Sequence, residues 1–147
     1  RQLGLILETL GDHASRSKDP ILLTEYVRHR LARQICTRYR NAESELYVVA
    51  LDPALEDRVR AGFEHTERGM FIRLSPQVVD QTCRSIAQQI EKLTTTGHTP
   101  IVLVSPQIRA AVKRLTENHL PNLVVLSFNE VTRDTKIVTL GIVSDKA

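Results

Sequence analysis

Aromatic residues, cysteines and long apolar runs are all scarce in this sequence. Aromatic residues make up 4% of its 147 residues and tryptophan is absent, so stacking platforms for single-stranded nucleic acid are poorly supplied. The longest uncharged apolar runs, Leu46 to Leu51 and Ile137 to Val143, are far shorter than the roughly 20 residues that span a bilayer. The composition therefore predicts a soluble globular chain that does not cross a membrane.

Only two cysteines occur, Cys36 and Cys83, and no CxxC spacing is present. We therefore expect no set of disulfides, but two free buried thiols and a reducing, cytosolic setting. The first residue is Arg1, and no signal peptide precedes the folded pattern. We interpret the sequence as a fragment of a longer protein.

Motifs for catalysis and for nucleotide or metal binding are also absent. No GxGxxG, P-loop, HExxH or GxSxG pattern occurs. His65 and Glu67 lie in a predicted loop, where solvated side chains are a better explanation than a metal site. Ser105 precedes a helix whose N–H groups can bind an anion, but helix capping explains this serine without any ligand. We predict no enzyme activity, no metal, no cofactor and no small-molecule substrate.

Positive and negative charges are nearly balanced. Twenty Lys and Arg residues against 17 Asp and Glu residues give a net charge of +3, too weak a bias to indicate nucleic acid by itself. The densest basic feature is one predicted helix with five arginines and no acidic residue between them: Arg28, Arg30, Arg33, Arg38 and Arg40. Three interpretations stay open: a solvated helix face, a protein–protein contact, or a nucleic-acid-binding module on the Arg-rich helix 28–40. Arg28 and Arg38 fall near the apolar stripe, where an arginine covers apolar surface and pairs with a carboxylate.

Four pairs of a capping residue followed by proline predict four helix starts. The pairs are Asp19-Pro20, Asp52-Pro53, Ser75-Pro76 and Ser105-Pro106. Apolar periodicity adds a helix before the first pair and extends each of the others. The predicted helices are Leu3 to Leu10, a single helix from Pro20 to about Arg40, Pro53 to Ala61, Pro76 to about Thr95, and Gln107 to Asn118.

Short β-rich runs alternate with these helices. The predicted strands are Leu46–Leu51, Met70–Leu74, Ile101–Val104, Leu123–Leu126 and Ile137–Val143, with a loop around Glu64 to Gly69. The first run is almost wholly apolar, which is typical of a strand buried on both faces. Strand–helix–strand spacing predicts parallel strands joined by right-handed crossovers, and Gly141 indicates a bulge or a close backbone approach.

The polar stretch from Asn41 to Glu45 predicts a subdomain boundary. We therefore expect an α/β (α+β) fold in two parts. A short helical subdomain over residues 1–44 precedes an α/β layered subdomain over residues 45–147, which contains a mostly buried sheet of about four strands.

Two stretches of the sequence are distinctive in combination. They are LGLILETLGDHASRSKDPILLTEYVRHRLARQI (Leu3 to Ile35) and PIVLVSPQIRAAVKRLTENHLPNLVVLSFNEV (Pro100 to Val131). Together they resemble the C-terminal end of the large export-gate subunit of bacterial type III secretion systems and flagella. The segment VVALDPALE (Val48 to Glu56) is similar to the link between these blocks. The resemblance covers essentially the whole chain, in the order that the family has.

This resemblance implies a non-enzymatic part of a protein export gate at the cytoplasmic face of the bacterial inner membrane. Residues 1–44 would end the third cytoplasmic subdomain and residues 45–147 would form the fourth. Attachment to the membrane would come only from an N-terminal half that this sequence lacks. The family also implies a ring, typically of nine subunits, and docking of the stalk protein of the export ATPase complex between neighbouring fourth subdomains.

The match LTEYVRHRLAR allows four site residues to be carried over from the resemblance. Thr24, Glu25, Arg28 and Arg33 are expected at the contact between ring subunits. The alternative for these residues, which stays open, is that they cap and brace the helical subdomain, since surface ion pairs contribute little. The alternative function is a nucleic-acid-binding module on the Arg-rich helix.

Overall fold

The computed structural model describes residues 20–66 and 68–144. The helices are α1 (Pro20–Arg30), α2 (Ala32–Tyr39), α3 (Pro53–Ala61), α4 (Pro76–Thr94) and α5 (Arg109–Thr116). The strands are β1 (Glu45–Leu51), β2 (Phe63–Thr66), β3 (Gly69–Ile72), β4 (Ile101–Val104), β5 (Val124–Ser127) and β6 (Lys136–Val143). Short 3₁₀ helices, Pro106–Ile108 and Phe128–Glu130, precede α5 and follow β5. The predicted helix from Leu3 to Leu10 lies outside the described residues.

Four strands form one parallel sheet in the order β5-β4-β1-β6. Strand β1 is internal, and Val48 and Val49, which point to opposite faces, are both fully buried. The apolar run was therefore correctly predicted to be covered on both faces. The α/β class and the number of strands in the sheet are likewise confirmed.

Apolar side chains form one cluster on each face of the sheet. The larger cluster joins residues of α3, α4 and α5 to the face that carries Val49 and Val102. In the smaller cluster, Ile35 and Tyr39 of α2 pack against the face that carries Leu46. Helix α2 therefore lies on the α/β body and covers part of its second face. The subdomain boundary at residue 44 stays a prediction.

Three of the four predicted helix starts are where the proline pairs place them. Helix α1 begins at Pro20. Asp52 Oδ1 accepts the N–H of Leu55 at 2.8 Å, and Ser75 Oγ accepts the N–H of Val78 at 3.3 Å. At Ser105 the prediction is partly wrong, because a 3₁₀ helix begins there and Ser105 does not cap it.

The prediction of a single helix from Pro20 to about Arg40 is wrong. Helix α1 ends at Arg30 and α2 begins at Ala32. The N–H of Leu31 is shared between the carbonyl oxygens of Val27, at 3.0 Å, and Arg28, at 3.1 Å. The helix is thus interrupted at one residue, which changes the angular relation between the arginines before and after it.

The predicted loop from Glu64 to Gly69 contains a strand instead. Strand β2 pairs with β3 in an antiparallel hairpin, in which Phe63 lies opposite Ile72. Strand β3 begins at Gly69 and ends at Ile72, slightly earlier than predicted. Most side chains of this hairpin are exposed or half-buried, so it lacks the apolar alternation that reveals a strand in a sequence.

Strand β6 contains the bulge that Gly141 predicted. Val48 pairs with Thr139 and Val49 pairs with Gly141, so Leu140 is an extra residue in β6. A Cβ atom at Gly141 would lie 2.3 Å from Gln89 Oε1. Both the bulge and the close approach are therefore present.

Candidate functional site

The four predicted contact residues do not form one cluster. Thr24 and Arg33 are exposed, and Thr24 Oγ1 donates a hydrogen bond to the carbonyl oxygen of Pro20 at 2.7 Å. Arg33 makes no ion pair with any residue that the structure describes. Glu25 and Arg28 are half-buried and turn inward, onto the α/β body. Two of the four predicted residues therefore face outward and two face inward.

Glu25 forms a bidentate ion pair with Arg109 of α5. Arg109 Nε lies 2.8 Å from Glu25 Oε1, and Nη2 lies 3.0 Å from Oε2. The Arg109 side chain is 8% exposed, whereas that of Glu25 is 27% exposed. Arg109 Nη1 also donates to the carbonyl oxygen of Val125 at 3.0 Å. The carboxylate of α1 therefore neutralises a guanidinium that is buried beneath it.

Arg28 pairs with Glu130, one turn further along the same helix face. Arg28 Nη2 lies 2.9 Å from Glu130 Oε2, and the Glu130 side chain is 2% exposed. Glu130 Oε1 accepts hydrogen bonds from Ser127 N at 2.9 Å and Ser127 Oγ at 3.0 Å. The expectation that Arg28 lies at the edge of the helix stripe and pairs with a carboxylate is confirmed.

The two pairs brace α1 against β5 and the turn that follows it. Sequence reasoning missed both partners, Arg109 and Glu130. Each is a single charged residue inside an apolar stretch, in PQIRAAV and LSFNEV respectively. A charged residue in such a position is rarely buried unless it is paired, and this was the available signal.

The outward side of α1 and α2 carries the unpaired arginines. Arg30, Arg33 and Arg38 are exposed and have no acidic partner in the described part of the chain. Beside them, Phe128 is 48% exposed, and the neighbouring Asn129 lies within 3.5 Å of the His29 ring nitrogen Nδ1. The surface formed by His29, Arg30, Arg33, Arg38 and Phe128 is called the basic helix face below.

Arg40, at the end of the predicted helix, is the second of its arginines that forms an ion pair within the protein. Its Nη1 atom lies 3.1 Å from Asp134 Oδ1 and donates to Thr135 Oγ1 at 2.9 Å. Hydrogen bonds from Thr132 and Arg40 hold the pKa of Asp134 below its usual range. Of the five arginines of the predicted helix, two therefore stabilise the fold and three face outward.

The backbone N–H and the hydroxyl group of Ser105 are hydrogen-bonded to a side chain of the same protein. Its Oγ donates to Glu56 Oε1 at 2.6 Å, and its backbone N–H donates to Glu56 Oε2 at 3.0 Å. The Glu56 carboxylate of α3 therefore lies where an external anion would bind. Ser127 and Glu130 repeat this arrangement at the end of the neighbouring strand.

The remaining candidate groups are structural or exposed. Cys36 and Cys83 are free and buried, as predicted, and burial raises the pKa of the Cys83 thiol to about 11. His65 is exposed on β2, and Glu67 lies outside the described residues. Within residues 20–66 and 68–144 there is no group of three or more potential metal ligands. In the same ranges, no helix combines the length and apolarity that crossing a membrane requires.

Comparison with known proteins identifies the family. The FHIPEP family matches residues 1–136. The flagellar biosynthesis protein FlhA of Bacillus subtilis is 36% identical over 143 residues, which are 97% of this chain and 21% of FlhA. The low calcium response locus protein D of Yersinia pestis is 33% identical over 141 residues, or 96% of this chain and 20% of that protein. The chain thus spans about a fifth of the length of these relatives.

Solved structures share the fold along nearly the whole chain. The Chlamydia pneumoniae CdsV protein, solved in complex with CdsO, superposes with a TM-score of 0.83 at 32% identity, covering 96% of this chain and 42% of CdsV. The nonameric SctV-C of EPEC superposes with a TM-score of 0.81 at 31% identity, again over 96% of this chain and 42% of SctV-C. The resemblance noted in the sequence is therefore confirmed: the chain belongs to the FHIPEP family, whose members are flagellar and type III secretion export proteins.

Proposed function

We propose that the chain is a non-enzymatic component of a type III protein export gate, which assembles into a ring with copies of itself and docks other export-apparatus proteins. The nonameric state of the similar SctV-C supports ring assembly and a count of nine. The complex of CdsV with CdsO supports docking of a partner. The proposed location is the cytoplasmic face of the bacterial inner membrane, with membrane attachment through parts that lie outside this sequence.

The basic helix face is the feature of this structure that supports the proposed ring contact. Arg30, Arg33 and Arg38 are exposed cations without an acidic partner among the described residues. Helix α1, which carries Arg30 and leads into the helix of Arg33 and Arg38, is held in place by the Glu25–Arg109 and Arg28–Glu130 pairs. A helix that is already held in place loses little freedom on association, so the surface that it carries binds at a lower entropic cost.

The predicted contact residues then divide into two roles. Thr24 and Arg33 face outward and would contact the neighbouring subunit, whereas Glu25 and Arg28 would position α1, which carries Thr24 and leads into the helix of Arg33. A ring contact is head-to-tail and joins two different surfaces. The surface that meets Arg33 would therefore be acidic, and the charges would set the rate and the register of association.

Partner docking would use the α/β part of the chain. In the ring, neighbouring copies of residues 45–147 would form the clefts that receive the stalk protein of the ATPase complex. CdsV and CdsO form a complex, which supports docking of a partner by a protein of this family. No cofactor and no small-molecule substrate enter this function.

Charge reversal at Arg33 tests the ring contact. This chain covers only 42% of SctV-C. The assay therefore uses a longer natural domain, of the length of SctV-C, that includes this chain. We expect Arg33→Glu to abolish rings in sedimentation and in electron micrographs while leaving the far-UV circular dichroism unchanged, since an exposed charge affects association more than folding. Arg114→Glu makes the same change at an exposed position of α5 and should leave the rings intact. Normal rings in the Arg33 variant would contradict the assignment.

Arg28→Glu does not serve the same purpose. It would place a carboxylate beside the buried carboxylate of Glu130 and would therefore cost folding stability as well as any contact. The nucleic-acid alternative has no observation in its favour, because Arg28 and Arg40 are engaged in internal ion pairs. None of the proteins compared above is named as a nucleic-acid-binding protein.

A further inference from the structure

The two edges of the parallel sheet differ in how their backbone groups are satisfied. At the β5 edge, side chains cap the carbonyl and N–H groups that point away from β4. The capped groups are the carbonyl of Leu123 (by Lys113, 2.9 Å), the carbonyl of Val125 (by Arg109, 3.0 Å, and Arg28, 3.4 Å) and the N–H of Ser127 (by Glu130, 2.9 Å). This edge is therefore closed to another strand.

The β6 edge has no such caps. Lys136 N donates to the carbonyl oxygen of Ser44, and Val143 O accepts the N–H of Asp52, so these two residues face β1. Along a parallel strand, alternate residues direct their backbone N–H and carbonyl groups to the same neighbouring strand, and the bulge at Leu140 shifts this alternation by one residue. The backbone groups of Ile137, Thr139 and Ile142 therefore point to the free side. No residue of the described chain bonds to them.

The side chains at these three positions are exposed as well. Ile142 is 58% exposed and Ile137 is 39% exposed, and Thr139 between them is also exposed. The main packing partners of β6 are β1 on one side and α4 on one face. The edge thus offers unpaired main-chain groups together with two apolar side chains.

We propose that the outer edge of β6 binds an extended polypeptide segment of another protein, which pairs with β6 as an additional strand. Main-chain hydrogen bonds supply affinity in this mode of recognition and alternate side-chain positions supply preference. Only an extended chain satisfies donors and acceptors that alternate along a strand at this spacing. The edge would accept many sequences that carry apolar residues at alternate positions.

The bulge disfavours a second copy of β6 as the occupant. Two identical antiparallel strands centred between Thr139 and Leu140 would bring both bulges together at the middle of the pair. Bulges leave a residue unpaired and interrupt the ladder, and they commonly prevent edge-to-edge pairing. A segment of another protein brings no second bulge and can therefore pair with β6 on both sides of Leu140.

The charges beside the edge define the partner further. Lys136 is exposed at the start of β6, and the side chain of Lys92 runs alongside Gly141 near its end. A segment with acidic residues on both sides of its alternating apolar residues therefore complements this edge. The attraction between such exposed charges decreases with ionic strength.

The test is a titration of the 147-residue chain with a capped octapeptide that has three threonine–valine pairs between two glutamates. We expect hydrogen exchange at the amides of Ile137, Thr139 and Ile142 to slow by about tenfold or more at saturation, since a bonded edge amide exchanges only after opening. The same peptide with lysines in place of the glutamates should bind more weakly. The same peptide with alternate N-methylated amides should not bind.

Two substitutions at Thr139 provide matched variants. Thr139→Pro removes an outward N–H without removing a bond to β1, as edge strands tolerate, and we expect it to weaken peptide binding by about tenfold or more. Thr139→Val keeps the N–H and should bind normally. If Thr139→Pro does not fold, Ile142→Lys replaces it, because the side chain of Ile142 is 58% exposed at the edge where the added strand would lie.

Three results would overturn the proposal. Slow exchange of the three amides in the free chain would mean that the chain covers its own edge. A dimer in sedimentation that Thr139→Pro dissociates would mean that a second copy occupies it. Equal binding of the N-methylated peptide would mean that no strand is added. Each of these results leaves the ring contact at Arg33 unaffected.

Discussion

Removing the Glu25 carboxylate tests whether an ion pair holds α1 on the α/β body. In Glu25→Ala, Arg109 loses charge-assisted hydrogen bonds of 2.8 and 3.0 Å and keeps its bond to Val125. Leaving one partner of a buried pair alone costs about 3–5 kcal/mol. Because the Glu25 side chain is 27% exposed, water can replace part of the lost interaction. We therefore expect the free energy of unfolding to fall by about 2 kcal/mol.

Urea unfolding followed by far-UV circular dichroism measures this difference. Glu117→Ala, which removes an exposed carboxylate from the end of α5, is the control and should change the free energy by less than about 0.5 kcal/mol. A double-mutant cycle with Arg109→Met isolates the pair, and the double variant should be more stable than the sum of the single changes predicts. Equal stability of the two alanine variants, or additivity in the cycle, would refute the reasoning.

Two further predictions concern the packing of the α/β body. Gly62→Ala should lower the free energy of unfolding by about 1–3 kcal/mol, because the new Cβ would lie 2.5 Å from Leu74 Cγ and Cδ2; the control Ala61→Ser, at the exposed neighbouring position, should be nearly neutral in the same urea assay. In a Cys36→Ser background, Cys83 should react with Ellman's reagent at pH 8 at least about a hundredfold more slowly than in urea, because burial and a pKa of about 11 keep it a thiol. Similar rates in the folded and unfolded chain would show that Cys83 is accessible.

Helices and strands whose positions are determined by neighbouring residues in the sequence were predictable from it. The β1 run is apolar at nearly every position, and the sheet places it between two neighbours. The capping residues Asp52 and Ser75 fixed the starts of α3 and α4, because a side chain three residues away from its partner needs no tertiary information. Strand β4 lies where its four apolar residues indicated.

Features that depend on contacts between residues far apart in the sequence were not predictable in this way. The interruption at Leu31 separates a helix held by ion pairs to α5 and to the 3₁₀ helix after β5 from a helix held by apolar packing of Ile35. Ser105 looks like a cap, but the carboxylate of Glu56 binds it from 49 positions away. Thr24 and Arg33 are exposed and stay predicted ring-contact residues. The inward roles of Glu25 and Arg28 depend on partners that periodicity does not reveal.

The braced helix α1 and the open strand β6 lie at opposite edges of the sheet. Helix α1 is braced at β5, and the open edge belongs to β6, with β4 and β1 between them. Three strand spacings amount to about 14 Å, beyond the range at which exposed charges interact strongly at physiological salt. The same arginines that close the β5 edge therefore also fix the helix that would contact a neighbour, while the far edge stays open. A ring contact made through α1 therefore does not require the β6 edge.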